Sequence, residues 1–328
     1  MRRGAAWVLA LLLAISLVGC GQKAPTRLEA AATADADQGD AQAQTQPDEW
    51  SREVTAQGKT WRFNSHLRTI LFMGVDTRTT EQEARYGLGN GGRSDTIILL
   101  VIDPDNQIIQ PVTLSRDTMT QVDVYDRDRN YLFSGTMQLT MQYSFGDNSK
   151  RSCLLMKRKV SDLLYGLPIH AYCSMTLDGI TAASELVGGV SLRLEEDWTD
   201  IDPSYVAGST ITLDADTLES FLRYRDTGVS GSNDVRMRRQ GWFIRQLFNQ
   251  LSSLSGSNIE VLLKQLDPYI ETDMDGDMLR HLTEFHVSST ILNVPGQTIP
   301  GRAHDEYYID EDGLKQLLLE LYYAPDDA

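Results

Sequence analysis

Two kinds of side chain stand in this sequence where they could act together. Aspartates sit at strand ends: Asp76 closes the β-rich run Arg68–Val75 (RTILFMGV), and Asp95 opens a second run, Asp95–Asp103 (DTIILLVID). Arginines recur around them in chain order: Arg93, Arg116, Arg223, Arg225, Arg236 and Arg239. A guanidinium fork binds phosphate oxygens bidentately, which a lysine ammonium cannot do. Two neighbouring carboxylates suit Mg²⁺, a hard cation that keeps waters and shares phosphate oxygens with its protein, with Mn²⁺ as an alternative. Together these are the parts of a pyrophosphate–metal site. Each part alone has a plainer reading. An aspartate after a strand is commonly a turn cap, and an arginine pair on a helix is commonly a solvated face, as Arg238 reads.

The elements around these residues give them a geometry. Pro104-Asp105-Asn106 is a turn signal, and Gln107–Leu114 (QIIQPVTL) is a third strand whose Pro111 points to an edge or a bulge. If the hairpin closes around residues 105 and 106, paired residues sum to about 211. Asp95 then faces Arg116, Arg93 faces Thr118, and Arg93, Asp95, Arg116 and Asp117 gather at one end.

Downstream, helices are expected over Ser152–Leu164, Asp178–Val187 and Asp214–Tyr224, the last capped by Asp214 or Asp216, with strands over Pro168–Met175 and Val190–Leu194. This alternation gives an α/β class with a mixed sheet. In the helix after the 227–233 loop, Phe243, Ile244, Leu247, Leu251 and Leu254 mark one face. At 100° per residue, Arg236, Arg239 and Gln240 continue that same face. Guanidiniums near a helix N-terminus oppose the macrodipole unless an anion joins them. Arg223, Arg225 and Arg236 are therefore expected to repel one another in the empty protein. The stretch Leu292–Pro325, with an amphipathic helix over Asp312–Tyr323, reads as an addition to the same domain, giving one folded domain over 60–325.

The N-terminus reads as an export signal with a lipid anchor. Arg2 and Arg3 precede a thirteen-residue apolar run, Ala5–Leu17, which ends in Leu17-Val18-Gly19-Cys20, a lipobox-like sequence. Residues 1–19 form the expected signal peptide, Cys20 the lipidated residue, and 20–55 a disordered tether rich in Ala, Gln, Asp and Thr. The chain is thus expected to be an extracytoplasmic membrane lipoprotein. Losing Arg2 and Arg3 takes the net charge from −16 to −18, which excludes nucleic-acid binding through a bulk positive field. Apolar and charged fractions of 41% and 23% exclude wholesale disorder. Export permits a disulfide between Cys153 and Cys173, whose separation the sequence does not give. The five scattered histidines form no zinc motif.

With these motifs the sequence resembles the LytR-CpsA-Psr proteins. The segments that carry the resemblance are ILFMGVDTR (70–78), GRSDTIILLVID (92–103), TLSRDT (113–118), GGV (188–190), LDADTLESFLRYR (213–225) and NDVRMRRQ (233–240), covering about residues 68–250. The resemblance implies a three-layer α/β/α domain with a hydrophobic channel for a polyprenyl chain. It implies transfer of a glycopolymer phosphate from a polyprenyl-pyrophosphate carrier to peptidoglycan as a phosphodiester, usually at the N-acetylmuramic acid 6-hydroxyl. By motif, Asp76 and Asp95 would bind Mg²⁺, and Arg93, Arg116, Arg223, Arg225, Arg236, Arg239 and Gln240 the pyrophosphate. Asp117, Asp234 and Arg116 are the candidate catalytic residues, either aspartate orienting or deprotonating the acceptor hydroxyl. The sequence departs from the family in having Leu114-Ser115 where Ile-Pro commonly precedes the Arg-Asp pair. It also has one residue fewer between Asp234 and Arg236, and a lipobox in place of a transmembrane helix.

Other functions compete. A binding lipoprotein without turnover would not need both Asp76 and Asp95. A transcriptional regulator is opposed by the export signal and the negative charge. A polyprenyl-pyrophosphate hydrolase would use the same site with water as acceptor.

Overall fold

The structure, a computed structural model, describes residues 53–77, 92–126, 128–226, 228–253, 261, 264–301 and 304–326. The signal peptide, Cys20 and most of the expected tether lie outside them. Folded structure begins earlier than the expected domain boundary of 60. In chain order come β1 (Glu53–Ala56), β2 (Lys59–Phe63), β3 (Arg68–Val75), β4 (Ser94–Asp103), β5 (Ile108–Leu114), β6 (Met119–Tyr125) and β7 (Tyr131–Gln138). Next are α1 (Met141–Ser144), α2 (Lys150–Leu163), β8 (Ala171–Thr176), α3 (Leu177–Leu186), β9 (Val190–Arg193), β10 (Thr210–Leu213), α4 (Ala215–Arg223) and α5 (Ser232–Ser252). The C-terminal part holds β11 (Ile270–Thr272), α6 (Gly276–Leu282), β12 (His286–Val287), β13 (Leu292–Asn293), β14 (Gly296–Ile299), β15 (Glu306–Ile309), α7 (Glu311–Tyr322) and β16 (Tyr323–Pro325).

The central sheet is mixed, in the order β11-β8-β3-β4-β5-β12, with β13 also pairing β5. β3, β4 and β5 run antiparallel to one another, and β8 lies parallel to β3. Strands buried on both faces must be apolar at every position, and β3 and β4 are nearly so. Side-chain alternation divides them between two cores. Ile70, Phe72, Ile98 and Leu100 face α3, α4 and α5, packing with Ile180, Phe221 and Phe243. Leu71, Met73, Ile97 and Leu99 face α2 and α7, packing with Met156, Val160, Leu314 and Leu318. Three layers, α/β/α, result.

The β4–β5 register is Ile97↔Leu114 through Asp103↔Ile108, the constant sum of 211 expected from the turn. Pro111 lies where β5's outer neighbour is interrupted: β12 pairs at Ile108 and Ile109, and β13 at Val112 and Thr113. A residue without an N–H is tolerated there. The long hairpin β6–β7, which follows Asp117 directly, has no counterpart among the sequence expectations. Cys153 and Cys173 are free, buried thiols in opposite cores, so no disulfide forms between them. Among the described residues, no helix is long and apolar enough to cross a membrane.

Candidate functional site

Asp76 follows the last residue of β3, where the pairing with β4 slips between Gly74 and Val75. Its N–H donates to the Arg93 carbonyl at 3.0 Å, and its carboxylate accepts the Arg93 N–H at 2.6 Å. The two strand ends therefore grip each other. Gly92 sits in this grip with no room for a side chain, since a Cβ would run into Thr77 and the Asp76 carboxylate. Its N–H is held by the Asn148 side chain at 2.6 Å, and its carbonyl accepts the Ser144 hydroxyl at 2.9 Å. Desolvation raises the Asp76 pKa, and the charge of nearby Asp95 raises it further, against the lowering effect of the Arg93 N–H.

At the open end of the hairpin, one oxygen of Asp95 is ion-paired with Arg116, and the other lies 4.0 Å from Arg236. Arg116 also donates to Asp117 at 3.3 Å. That Asp117 oxygen accepts the Gln138 amide at 2.9 Å, while the other is buried without a hydrogen-bond partner.

The opposite wall comes from α4 and α5. Asp214, the N-cap of α4, forms a capping box with Thr217. Helix α5 starts after Gly231, whose φ of +78° is a left-handed conformation that suits glycine. The first turns of α5 face inward as expected: Arg236, Arg239 and Gln240 are all buried. Arg236 donates to Asn233, and its Nε has no hydrogen-bond partner. Burial holds its pKa down to about 10, against the pull of Asp95, so it stays a cation at neutral pH. Gln240 donates to the Leu222 carbonyl at 3.2 Å. Arg239 lies behind this wall among aromatic rings and donates to the Tyr224 carbonyl.

The remaining expected ligands are spread around this centre. Arg223 is exposed and pairs with Glu219 at 2.7 Å. Arg225 donates to Ser232 at 2.8 Å and lies 3.6 Å from Asp305. Arg223 and Arg225 are each paired with a carboxylate, while the expected repulsion persists at Arg236, whose pKa is lowered by burial and further by the charges of Arg116 and Arg225. Asp234 accepts the Thr298 hydroxyl at 2.9 Å, and its pKa is raised by desolvation and then by the charges of Asp117 and Asp305. Arg238 is solvated and pairs with Glu196, as its plainer reading had it.

A cleft of about 570 Å³, counting its open mouth, runs between β3, β4 and these helices. Asp76, Asp95, Arg223, Arg236 and Gln240 line its charged end. Phe72, Leu177, Ile180, Leu222, Phe243 and Ile244 line the rest. Arg116 reaches this centre through Asp95, whereas Arg93, Arg225, Arg239, Asp117 and Asp234 do not line the cleft. Of the apolar wall the sequence singled out Phe243 and Ile244 but not Phe72, Leu177, Ile180 and Leu222, and it singled out neither Gln138 nor Asp305. The apolar wall had a readable signal in the inward faces of α3 and α5. Asp305, an isolated loop residue 80 positions from Arg225, had none. Among the described residues, no group of three or more His, Cys, Asp or Glu side chains is placed to hold a metal.

This arrangement can hold an amphiphile with an anionic head. Comparison with known proteins agrees with the motifs. The LytR_cpsA_psr family model matches residues 28–321. A polyisoprenyl-teichoic acid–peptidoglycan teichoic acid transferase, TagV of Bacillus subtilis (strain 168), is 24% identical over 281 residues, 79% of this chain and 66% of that protein. The corresponding TagU of Oceanobacillus iheyensis is 27% identical over 253 residues, covering 74% of this chain and 71% of that one. The crystal structure of B. subtilis TagV shares the fold with a TM-score of 0.60 at 20% identity, over 79% of this chain and 96% of that chain. The chain belongs to the LytR-CpsA-Psr family.

Proposed function

We propose that the protein is an extracytoplasmic transferase that moves a glycopolymer phosphate from a polyprenyl-pyrophosphate carrier to peptidoglycan. The observation that carries this reading is a single cleft lined both by apolar side chains, Phe72, Ile180, Leu222, Phe243 and Ile244, and by Asp76, Asp95, Arg236 and Gln240. The polyprenyl chain lies along the apolar wall and the pyrophosphate at the charged end. The names of the relatives, which are teichoic acid transferases acting on peptidoglycan, support this assignment. The lipobox sequence supports a diacylglyceryl anchor on Cys20, which keeps the domain at the membrane that holds the carrier.

Arg236 and Arg116, both against Asp95, hold the pyrophosphate oxygens and balance the charge that grows on the departing lipid phosphate. The unsatisfied Nε of Arg236 is a donor that a phosphate oxygen would complete. The acceptor hydroxyl attacks the phosphorus next to the glycan, the bond to the lipid phosphate breaks, and a nearby aspartate takes the hydroxyl proton. Asp117 and Asp234 are the candidates, each hydrogen-bonded to a strand of the β14–β15 hairpin.

The donor set fits a hard divalent cation. Asp76 and Asp95 are close enough for the charge of one to raise the pKa of the other. Two carboxylates with phosphate oxygens and water make a Mg²⁺ shell without a third acidic ligand. Bound there, the cation would supply Lewis-acid neutralisation of phosphate charge. Mass spectrometry of lipid that co-purifies with the full chain tests the reading. A polyprenyl phosphate or pyrophosphate supports it, and purification with phospholipid alone counts against it.

A further inference from the structure

Resemblance places Arg239 among the pyrophosphate ligands, but the structure gives it different surroundings. Its side chain is 1% exposed and is absent from the cleft wall. The guanidinium carbon lies 4.8 Å from the Trp198 ring centre, 5.7 Å from Phe221 and 5.8 Å from Tyr224. A guanidinium enclosed by three ring faces is held by cation–π attraction, which strengthens when water is excluded.

A terminal N–H of this guanidinium has a backbone partner, while its Nε, like that of Arg236, has none. Helix α4 ends at Arg223, and Tyr224 turns the chain into extended backbone (φ −51°, ψ 132°). The last carbonyls of a helix have no partner within it. Two at this end are capped from α5: Gln240 donates to the Leu222 carbonyl and Arg239 to the Tyr224 carbonyl. Between and just beyond these two anchored carbonyls stand Arg223, on the cleft wall, and Arg225, bound to Ser232 on α5. The clamp therefore fixes the backbone that carries both arginines against the helix that carries Arg236.

We propose that Arg239 is a positioning residue. It holds the Leu222–Arg225 segment through the Tyr224 carbonyl and the aromatic cage, and does not touch the pyrophosphate. This rests on the reading of the cleft as a pyrophosphate site, and it narrows that site to the arginines in front of the clamp.

The test uses the full chain, Arg239→Met, which fills the cage without a donor, and Arg239→Lys, which restores a donor and a charge should the Met variant fold poorly. Amide hydrogen exchange at residues 222–226 is read first, without ligand. In Arg239→Met it is expected to speed up about tenfold while exchange in β3 and β4 is unchanged. Binding of farnesyl pyrophosphate is read next. Arg239→Met is expected to weaken it about tenfold in the wild-type background, and less than about twofold in an Arg223→Ala/Arg225→Ala background, because a residue that acts through others loses its effect with them. Exchange that stays at the wild-type rate overturns the clamp. A further tenfold loss in the double-variant background overturns it too, by showing a direct contact. If the wild-type chain binds no farnesyl pyrophosphate while exchange still responds, the clamp stands and the pyrophosphate reading of the cleft fails.

Discussion

Asp95 and Arg116 face each other across the open end of the β4–β5 hairpin as an ion pair, and the second oxygen of Asp95 turns toward Arg236 on the opposite wall. One carboxylate thus joins the sheet to the arginine helix. Asp95→Ala leaves two largely buried guanidiniums short of a partner and should lower stability by about 1–3 kcal/mol. Asp76→Ala removes a carboxylate whose charged form burial disfavours, but also the acceptor of the Arg93 N–H, so it should lower stability by less than Asp95→Ala. Both should abolish Mg²⁺-dependent transfer. Urea denaturation together with a transfer assay checks the pair. Full, chelator-sensitive activity in both variants would remove the metal assignment.

Arg236 is buried, with an unpartnered Nε and another arginine, Arg116, nearby. Exchanging a buried charge for an apolar side chain of similar volume is often neutral or stabilising. Arg116 remains to pair Asp95, so Arg236→Met should melt at an unchanged or higher temperature. Loss of a charge-assisted hydrogen bond, roughly 1.5–3 kcal/mol, should weaken pyrophosphate-lipid binding by about ten- to a hundredfold. A lower melting temperature with intact affinity would assign Arg236 to structure alone.

Asp234 has a pKa raised by burial and by the charges of Asp117 and Asp305. Above that raised pKa the folded state carries an anion it disfavours relative to the unfolded chain. Below the ordinary carboxylate value, about 3.9, both states are protonated and the difference disappears. Asn can still accept the Thr298 hydrogen bond. Asp234→Asn is therefore expected to raise the melting temperature at pH 7, with the gain shrinking as the pH falls toward about 4. Turnover should drop at the same time if Asp234 serves the acceptor hydroxyl. Melting curves across pH 4–7 read the first part, and a gain that grows toward low pH has the wrong sign.

Cys20 stands outside the described residues, and its role rests on Leu17-Val18-Gly19-Cys20. Cys20→Ala should block both lipidation and removal of residues 1–19. Mass measurement of the N-terminal peptide and membrane fractionation decide the matter. A cleaved, unmodified N-terminus with normal membrane retention would contradict the anchor.

The parts of this molecule legible in its sequence are those set by local rules. The Pro104-Asp105-Asn106 turn fixed a register, and the register brought Asp95 to Arg116. The 3.6-residue period turned Arg236, Arg239 and Gln240 inward. Depth along that face was not legible, because it depends on which rings meet it. Trp198, in the loop between β9 and β10, meets Arg239 and takes it out of the cleft. Arg225 likewise met Asp305 rather than another arginine, through a chain reversal that no spacing encodes. The β6–β7 hairpin was missed because its exposed run Tyr131-Leu132-Phe133 packs little and alternates weakly.

The central claim concerns what the cleft transfers and to what. Purified full-length protein, a polyprenyl-pyrophosphate glycan labelled in the sugar, Mg²⁺ and peptidoglycan form the direct test. Label should become covalently attached to peptidoglycan, with one polyprenyl phosphate released per label transferred, and Arg236→Met should sharply reduce both. Label that stays on the lipid, or leaves it for water with none on peptidoglycan, would contradict the transferase.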